Sequence, residues 1–561
     1  MRKAGRQAVM SVASVGKAFG MCLTTAMVAT APVAAMQPTD DDPIAPPSRV
    51  LIIVLDQTRP DTIDRYGMAN VQALRDGGVR FPNAYVGHMS SNTVISHNVI
   101  TSGQFPRNMG WSNEVYRDVD NRLGGGAGAY YVTSSMSCGQ YGTLITAEGY
   151  PKLEDYLGRK FVAIAEKTTA ACTAGHPADA DDIIIRMSRA LFDCDGNGSL
   201  ESNLRFPSGA NVPTYISQPQ CGRFYVDATP RYGTDTTPPA WLYPADGNRF
   251  FPGFDPAHFG GDIWVADAAI AVMENEPDWR GMLLSFGAID KSGHMWGPED
   301  AVTGTPGSEE EMTHLPFVAR TADEQVGRVL DKLEELGIRD ETLIVVTADH
   351  AAQTAHRFHG EDGPFRSDFN WYYGQDADET YLDPSPAIQT LVDGLGGNLD
   401  FSYQDTHIAA WLQVNSLDRK REAADVLRTL PDVIATYYLN EAEDRYMLRW
   451  KSNDIRGSER AWFAQHSREL VNTMASPDNG DAVALLRNDT AYSVFGEHGG
   501  HQRQVQRIPI IFNWSGLHGG QKLGHHMRHV DILPTVLRLL GIPQDPAHPL
   551  EGRAISLPLE H

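Results

Sequence analysis

Basic residues are scarce in this chain. It holds 47 Lys and Arg against 71 Asp and Glu, for a formal net charge of −24 over 561 residues. That balance argues against non-specific binding to nucleic acid or to an anionic membrane, since both need a basic face. Cysteine is also sparse, at five residues. No two cysteines have the close spacing of a zinc knuckle, so a zinc site built from thiolates is a weak reading. The sequence has no internal repeat and no low-complexity tract. A solenoid, a fibre and a disordered chain therefore do not fit, and an apolar content of 42% is enough for a sizeable core. Apolar runs typical of several membrane helices are missing too.

The N-terminus has the pattern of a targeting segment. Arg2, Lys3 and Arg6 open it, small apolar residues follow, and Val33-Ala34-Ala35 forms an A-x-A-like cleavage site. Residues 1–35 are therefore expected to be a signal peptide and 36–48 a Pro- and Asp-rich flexible leader. A membrane anchor is the weaker alternative, because Thr, Ser and Gly interrupt the run. Met21 before Cys22 makes a poor lipobox. A secreted or periplasmic protein with no membrane span in the mature chain is the expectation. Cleavage removes Arg2, Lys3, Arg6 and Lys17, and leaves the chain four charges more negative. The plain meaning of this acidity is solubility outside the cytoplasm. Cys138, Cys172, Cys194 and Cys221 remain, an even number in an oxidising setting, so two disulfides are expected. Four cysteines allow three pairings, and the sequence does not choose among them.

From Arg49 the pattern alternates between strand and helix. RVLIIVLD is a continuous apolar run of the kind buried on both faces of a sheet. A helix is expected from Thr93, ending at Gly103. DIWVADAAIAVMEN and ADEQVGRVLDKLEELG read as helices, each followed by a strand, MLLSFGAI and ETLIVVTAD. RIPIIFNWSG is strand-like, and HVDILPTVLRLLG is an amphipathic C-terminal helix. The fold class expected is α/β, a mostly parallel sheet sandwiched by helices. Residues 49–561 would be one catalytic domain, with a disulfide-stapled insertion at about 112–260 and a smaller insertion at about 355–440.

The chemistry lies just past the apolar runs, where an α/β sheet builds its active site. Asp56 ends the first run, Asp349-His350 ends another, and Asp290-x-x-x-His294 follows a third. His498 sits among Gly496, Gly499 and Gly500, whose backbone freedom helps to aim an imidazole. Each alone has an ordinary structural reading, a helix cap for Asp56 or a satisfied core residue for a lone histidine. Together they can hold two divalent metals. Thr93 opens a helix after HMSSN, where backbone N–H groups favour an anion. A metal would activate its hydroxyl as a nucleophile. Thr93 could equally be the helix cap, with Ser90, Ser91 and Asn92 as rivals.

The order Asp56, Thr93, Asp290-x-x-x-His294, Asp349-His350 and His498 resembles the alkaline phosphatase superfamily. The branch it resembles most is the type I phosphodiesterase/nucleotide pyrophosphatase family. That family has a Thr nucleophile, a His-containing helix, T-G-x-x-P and a following Gly. Here Thr93 is followed by His97, Ser102-Gly103, Pro106 and Gly110. The resemblance covers residues 49–111, 282–298, 341–350 and 494–541. It implies an alkaline-phosphatase-like fold and two metals, zinc by family expectation. One site would take Asp56, Thr93, Asp349 and His350, and the other Asp290, His294 and His498. Asn113 falls near the family's phosphate-binding Asn, at a spacing one residue short. Ala351 stands where the family usually has Gly. His356, His359 and His501 are extra histidines, expected at the surface or behind the ligands.

The resemblance implies a secreted two-metal hydrolase of small phosphate esters working through a phospho-threonine. A phosphodiesterase is expected over a monoesterase, because the motifs place no cation beside Thr93 and Asn113 is a neutral donor suited to a diester. Tyr130, Tyr131, Tyr141 and Trp241 are candidate walls for the second ester arm. An alkaline phosphatase-like monoesterase and a sulfatase-like hydrolase are the alternatives. Thr93-Val94-Ile95 lacks the C/S-x-P-x-R setting that sulfatases need. A secreted binding protein on the same fold is the non-enzyme alternative, and the intact ligand set counts against it. DCDGNGSLE offers Asp193, Asp195 and Asn197 as a possible calcium loop, although Leu204 stands where a full EF-hand needs Glu.

Overall fold

The computed structural model describes residues 45–109, 111–158, 160–177, 179, 181–192, 201–209, 211–216, 225–226, 259–296, 298, 315–355, 357–358, 386–492 and 496–560. A ten-stranded sheet forms its centre. The strand Arg49–Leu55 lies in the middle, parallel to Thr342–Thr347 on one side and Gly281–Phe286 on the other. Phe161–Ala165 continues the parallel order beyond Gly281–Phe286, and Ile183–Phe192 follows it. Antiparallel strands flank this parallel core, Ile510–Asn513 beside Thr342–Thr347 and Glu201–Ser208 beside Ile183–Phe192.

The alternation along Arg49–Leu55 explains why the whole run is apolar. Val50, Ile52 and Val54 enter one core, with the helices Thr93–Ser102, Cys138–Glu148, Thr168–Ala174 and Ile532–Leu539. Leu51, Ile53 and Leu55 enter the other, with Ala69–Asp76, Phe259–Asn275 and Leu315–Glu335. Both faces are covered, which is the expected helix–sheet–helix sandwich.

The register sets up the site. Leu55 pairs with Phe286, Val54 pairs with Thr347, and Ala165 pairs with Ser285. Four adjacent parallel strands therefore end at nearly one level. The residues just past them, Asp56, Asp349, the Ala288–Trp296 helix and Lys167, share one edge of the sheet.

A second sheet has five antiparallel strands in the order Leu399–Gln404, His407–Leu412, Ala482–Leu486, Val433–Asn440 and Arg445–Lys451. One face packs with Tyr85, Met89 and the Gly457–Asn472 helix, the other with the helices Pro386–Leu395 and Leu417–Leu427. This sheet runs well past residue 440, so the boundary drawn at 355–440 cuts through it. Its strands LDFSYQ and RYMLRWK carry no continuous apolar run. The boundary drawn at 112–260 likewise crosses the central sheet, since Phe161–Ala165 and Ile183–Phe192 are core strands.

Cys138 and Cys172 form a disulfide with Cα atoms 5.2 Å apart. It joins the first residue of the helix Cys138–Glu148 to the helix Thr168–Ala174, on the same face of the sheet. Cys194, Cys221 and the calcium candidates Asp193, Asp195 and Asn197 lie outside the described residues, as do residues 1–44. No described helix is long and apolar enough to cross a membrane.

Candidate active site

Thr93 is the first residue of a ten-residue helix, Thr93–Ser102, in which every residue is buried. Asn92 is the cap, its side chain accepting from the Ile95 N–H, so Thr93 keeps its hydroxyl for other use. Gly103, at φ 64°, ends the helix in the left-handed conformation. Burial of Val94, Ile95, Val99 and Ile100 fixes the helix on the sheet, at about 1.5–3 kcal/mol for each side chain. The His97 Nδ1 donates to the Thr93 carbonyl at 2.8 Å, and its Nε2 meets the Ser285 hydroxyl at 3.0 Å.

Two buried clusters flank this helix start. Asp56, Asp349 and His350 place ligand atoms close enough to share one ion, and so do Asp290, His294 and His498. His350 Nε2 lies 3.3 Å from Asp56 Oδ1 and 3.4 Å from Asp349 Oδ2. His294 Nε2 lies 3.2 Å from Asp290 Oδ1, and His498 Nε2 lies 3.8 Å from the same oxygen. The clusters touch through the stacked rings of His350 and His498, whose centroids are 3.7 Å apart. Asp290 and His294 sit one turn apart on the Ala288–Trp296 helix. Gly293 between them makes room for a neighbouring side chain. A Cβ there would lie 1.7 Å from Gln57 Oε1, so glycine admits the Gln57 side chain. Gln57 in turn donates its Nε2 to Asp290 Oδ1 at 3.0 Å and its backbone N–H to Asp349 Oδ1 at 3.2 Å.

The donor set fits divalent cations. Both carboxylate oxygens of Asp56 and Oδ2 of Asp349 are buried without a hydrogen-bond donor, apart from the ion pair of Asp56 with Lys167. Buried carboxylate oxygens left this way are costly unless a cation meets them. His294 donates Nδ1–H to the Gly496 carbonyl at 2.7 Å, and its Nε2 faces Asp290. Burial works against the charged imidazole, but Asp290 outweighs it and raises the pKa, so a metal would displace a proton from this nitrogen. Burial pushes His350 down to about 4 and His498 down to about 3, so both imidazoles are neutral donors. Burial opposes ionisation of Asp349, yet the neighbouring His350 and His97 hold its carboxyl down at about 2. Burial raises Asp56 well above the usual carboxylate range, with Asp290 and Asp349 adding to the effect. Asp56 is therefore the carboxylate of this group that favours a proton, which a metal would replace.

Lys167 is the group that sequence reasoning missed. Its Nζ lies 3.3 Å from Thr93 Oγ1 and 2.7 Å from Asp56 Oδ2, and it also pairs with Asp290. Burial disfavours the charge, but Asp290 and then Asp56 outweigh it and hold the ammonium protonated. Thr93 Oγ1 is also 3.4 Å from His350 Nε2. Lys167 stands two residues past the strand Phe161–Ala165, the same relation that Asp349 has to the strand Thr342–Thr347.

Asn113 is buried and reaches the site indirectly. Its Nδ2 donates to His407 Nε2 at 3.2 Å, and His407 Nδ1 donates to the Gly499 carbonyl beside His498. Gly499, at φ 85°, has no room for a Cβ, which would lie 2.9 Å from Asp405 Oδ2. His501 is buried against Phe463 and belongs to neither cluster. His356 and His359 lie outside the described residues, as does Trp241. Tyr141 packs on Trp111 and Tyr130 stacks on Phe401, so both are committed to core packing.

A family model for type I phosphodiesterase/nucleotide pyrophosphatase matches residues 50–127 and 188–501. The chain belongs to this family. Membership and the two Asp/His clusters make it a metal-dependent phosphoester hydrolase with a two-metal active site. Among solved structures, the wild-type alkaline phosphatase PafA is similar, with a TM-score of 0.56 at 15% identity, over 92% of this chain and 99% of that one. An inactive variant of murine ectonucleotide pyrophosphatase/phosphodiesterase 5 in complex with AMP gives a TM-score of 0.50 at 12% identity, over 89% and 96%. At these identities the likeness shows the alkaline-phosphatase-like fold. No curated protein matches the sequence. The family match resumes at residue 188 and leaves out 128–187, the stretch that contains Lys167.

Proposed function

We propose that the protein hydrolyses small phosphate esters through a covalent phospho-threonine at Thr93, with Asp56, Asp349 and His350 holding one metal and Asp290, His294 and His498 the other. The observation that carries this reading is the position of Thr93 Oγ1, at a helix start, 3.4 Å from His350 Nε2 and 3.3 Å from Lys167 Nζ. Bound divalent ions, zinc by family expectation, would supply Lewis-acid polarisation of phosphoryl oxygens and lower the pKa of hydroxyl and water nucleophiles. Thr93 Oγ1 loses its proton and forms the new bond to phosphorus, while the ester oxygen departs with its electron pair and takes up a proton. Water then attacks the same phosphorus and releases Thr93. The backbone N–H groups at the start of the Thr93–Ser102 helix face the phosphoryl oxygens. The Asn113 amide is a further donor for them.

Lys167 changes the expected substrate preference. A diester phosphoryl group carries one negative charge and a monoester carries up to two. A half-buried ammonium within reach of the nucleophile stabilises the second charge, which the neutral Asn113 does not. We therefore take phosphate monoesters as the preferred substrates. Phosphodiester hydrolysis is the second reading, favoured by the family match. Comparing kcat/KM for p-nitrophenyl phosphate and bis-p-nitrophenyl phosphate on one metal-analysed sample decides between them, and a diester preference would remove Lys167 from this role.

Export is part of the proposal. The A-x-A-like segment at residues 33–35 and the Cys138–Cys172 disulfide both suit an oxidising compartment outside the cytoplasm. On this reading residues 1–35 are removed and residues 49–561 carry the activity. A calcium ion at Asp193, Asp195 and Asn197 rests on the sequence pattern alone. Sequencing the N-terminus of the exported protein tests the cleavage, and a start at Met1 would contradict it.

A further inference from the structure

The Asp405–Thr406 turn of the antiparallel sheet is tied to the loop that carries His498. Thr406 Oγ1 donates to the His498 carbonyl at 2.7 Å, and Gln502 Nε2 donates to the Thr406 carbonyl at 2.8 Å. The next residue, His407, opens the strand His407–Leu412 and is fully buried. Its two ring nitrogens face different parts of the site. Nδ1 meets the Gly499 carbonyl and Nε2 meets the Asn113 amide at 3.2 Å.

The proton count on this ring is determined. A carbonyl only accepts, so Nδ1 must carry the proton. Burial holds the ring neutral, at about 4, so Nε2 keeps its lone pair. That lone pair needs a donor, and the Asn113 NH₂ is the group in reach. Asn113 Oδ1 meanwhile accepts from the Glu114 N–H at 2.8 Å. Flipping the amide would set Oδ1 against the Nε2 lone pair and the NH₂ against an N–H. Both contacts would become repulsive. The amide is thus locked in one orientation, with one N–H spent on His407 and Oδ1 on the Glu114 N–H.

We infer that His407 is a positioning residue that fixes the Asn113 amide for phosphoryl binding and sets it against the His498 loop. The inference rests on the reading of Asn113 as a phosphate donor. It adds the antiparallel sheet to the active-site machinery, although that sheet supplies none of the six proposed metal ligands. Groups of this kind behind a metal site typically change activity by roughly 10–100-fold when removed.

Two substitutions separate the functions of the two nitrogens. His407→Asn puts an amide donor near the Nδ1 position and takes away the Nε2 acceptor. His407→Gln puts an acceptor near the Nε2 position. The inference expects His407→Asn to lower kcat/KM for p-nitrophenyl phosphate roughly tenfold or more. Metal content should be unchanged, and His407→Gln should recover part of the loss. Asn113→Ala should show a similar loss, and adding His407→Asn to it should cost nothing further, since both act through one amide. Additive losses, full activity of His407→Asn beside an impaired Asn113→Ala, or loss of a metal from His407→Asn would each overturn it. A silent Asn113→Ala would also overturn it. A wild-type protein without phosphoesterase turnover would sink the functional reading alone. Calorimetric affinity for inorganic phosphate, compared across the same variants, would then still decide whether His407 acts through Asn113.

Discussion

Lys167 Nζ lies 3.3 Å from Thr93 Oγ1, within hydrogen-bond reach of the proposed nucleophile. The ammonium also bridges Asp56 and Asp290, one residue from each metal cluster. Metals held by these carboxylates would release the ammonium to meet a phosphoryl group. Replacing Lys167 with Ala should therefore lower kcat/KM for p-nitrophenyl phosphate by about 100-fold. The loss for bis-p-nitrophenyl phosphate should be much smaller. Equal losses on both esters would show that Lys167 organises the site without reading the second charge.

Metal content should follow the two clusters. The wild-type protein should bind about two divalent ions per chain, and Asp290→Ala or His498→Ala should each release one of them with most of the activity. Elemental analysis alongside turnover is the check. Full activity after exhaustive chelation would be incompatible with a metal-dependent reaction.

How far these residues could be read from sequence depended on what precedes them. Asp56 and Asp349-His350 follow long apolar strands, and Asp290 and His294 follow another, so position after a strand marked all five. Lys167 obeys the same rule, but its strand is only FVAIA and lies among irregular segments with cysteines and glycines. Reading that stretch as an insertion hid both strand and lysine. His407 was out of reach for a different reason. Its role depends on a turn of the antiparallel sheet meeting the His498 loop, 92 residues away in sequence. No local pattern encodes such a meeting. Asn92, rather than Ser90 or Ser91, caps the nucleophile helix, a choice that packing makes among three acceptable caps.

The Cys138–Cys172 bridge closes a loop with a sequence separation of 34. Removing it by Cys138→Ser should reduce stability by about 2–4 kcal/mol, mainly through greater freedom of the unfolded chain. Urea unfolding measures the difference, and thiol mapping of the unreduced protein should find neither cysteine free. A free Cys138 in the unreduced protein would contradict the bridge.

His529 gives a pH prediction of definite sign. Its Nε2–H donates to the Ala348 carbonyl at 2.7 Å, next to Asp349, and burial pushes its imidazole down to about 4. An unfolded histidine titrates near 6.5. Between those values the unfolded chain binds a proton that the folded chain excludes, so this residue costs stability as the pH falls. His529→Gln keeps a donor and does not titrate. The stability of the wild type relative to this variant should decline by about 1.4 kcal/mol per pH unit between pH 6.5 and 4. Urea midpoints across that range test it, and a relative gain for the wild type in acid would reverse the sign.

The central claim is a covalent phosphoryl group on Thr93. The direct measurement is rapid acid quenching during turnover of p-nitrophenyl phosphate, followed by peptide mass spectrometry. The account predicts one added phosphoryl group on the peptide containing Thr93, and no adduct and no turnover in a folded, metal-loaded Thr93→Ala protein. Turnover by Thr93→Ala at the wild-type rate, or a phosphoryl group trapped on another residue such as Ser91, would contradict it.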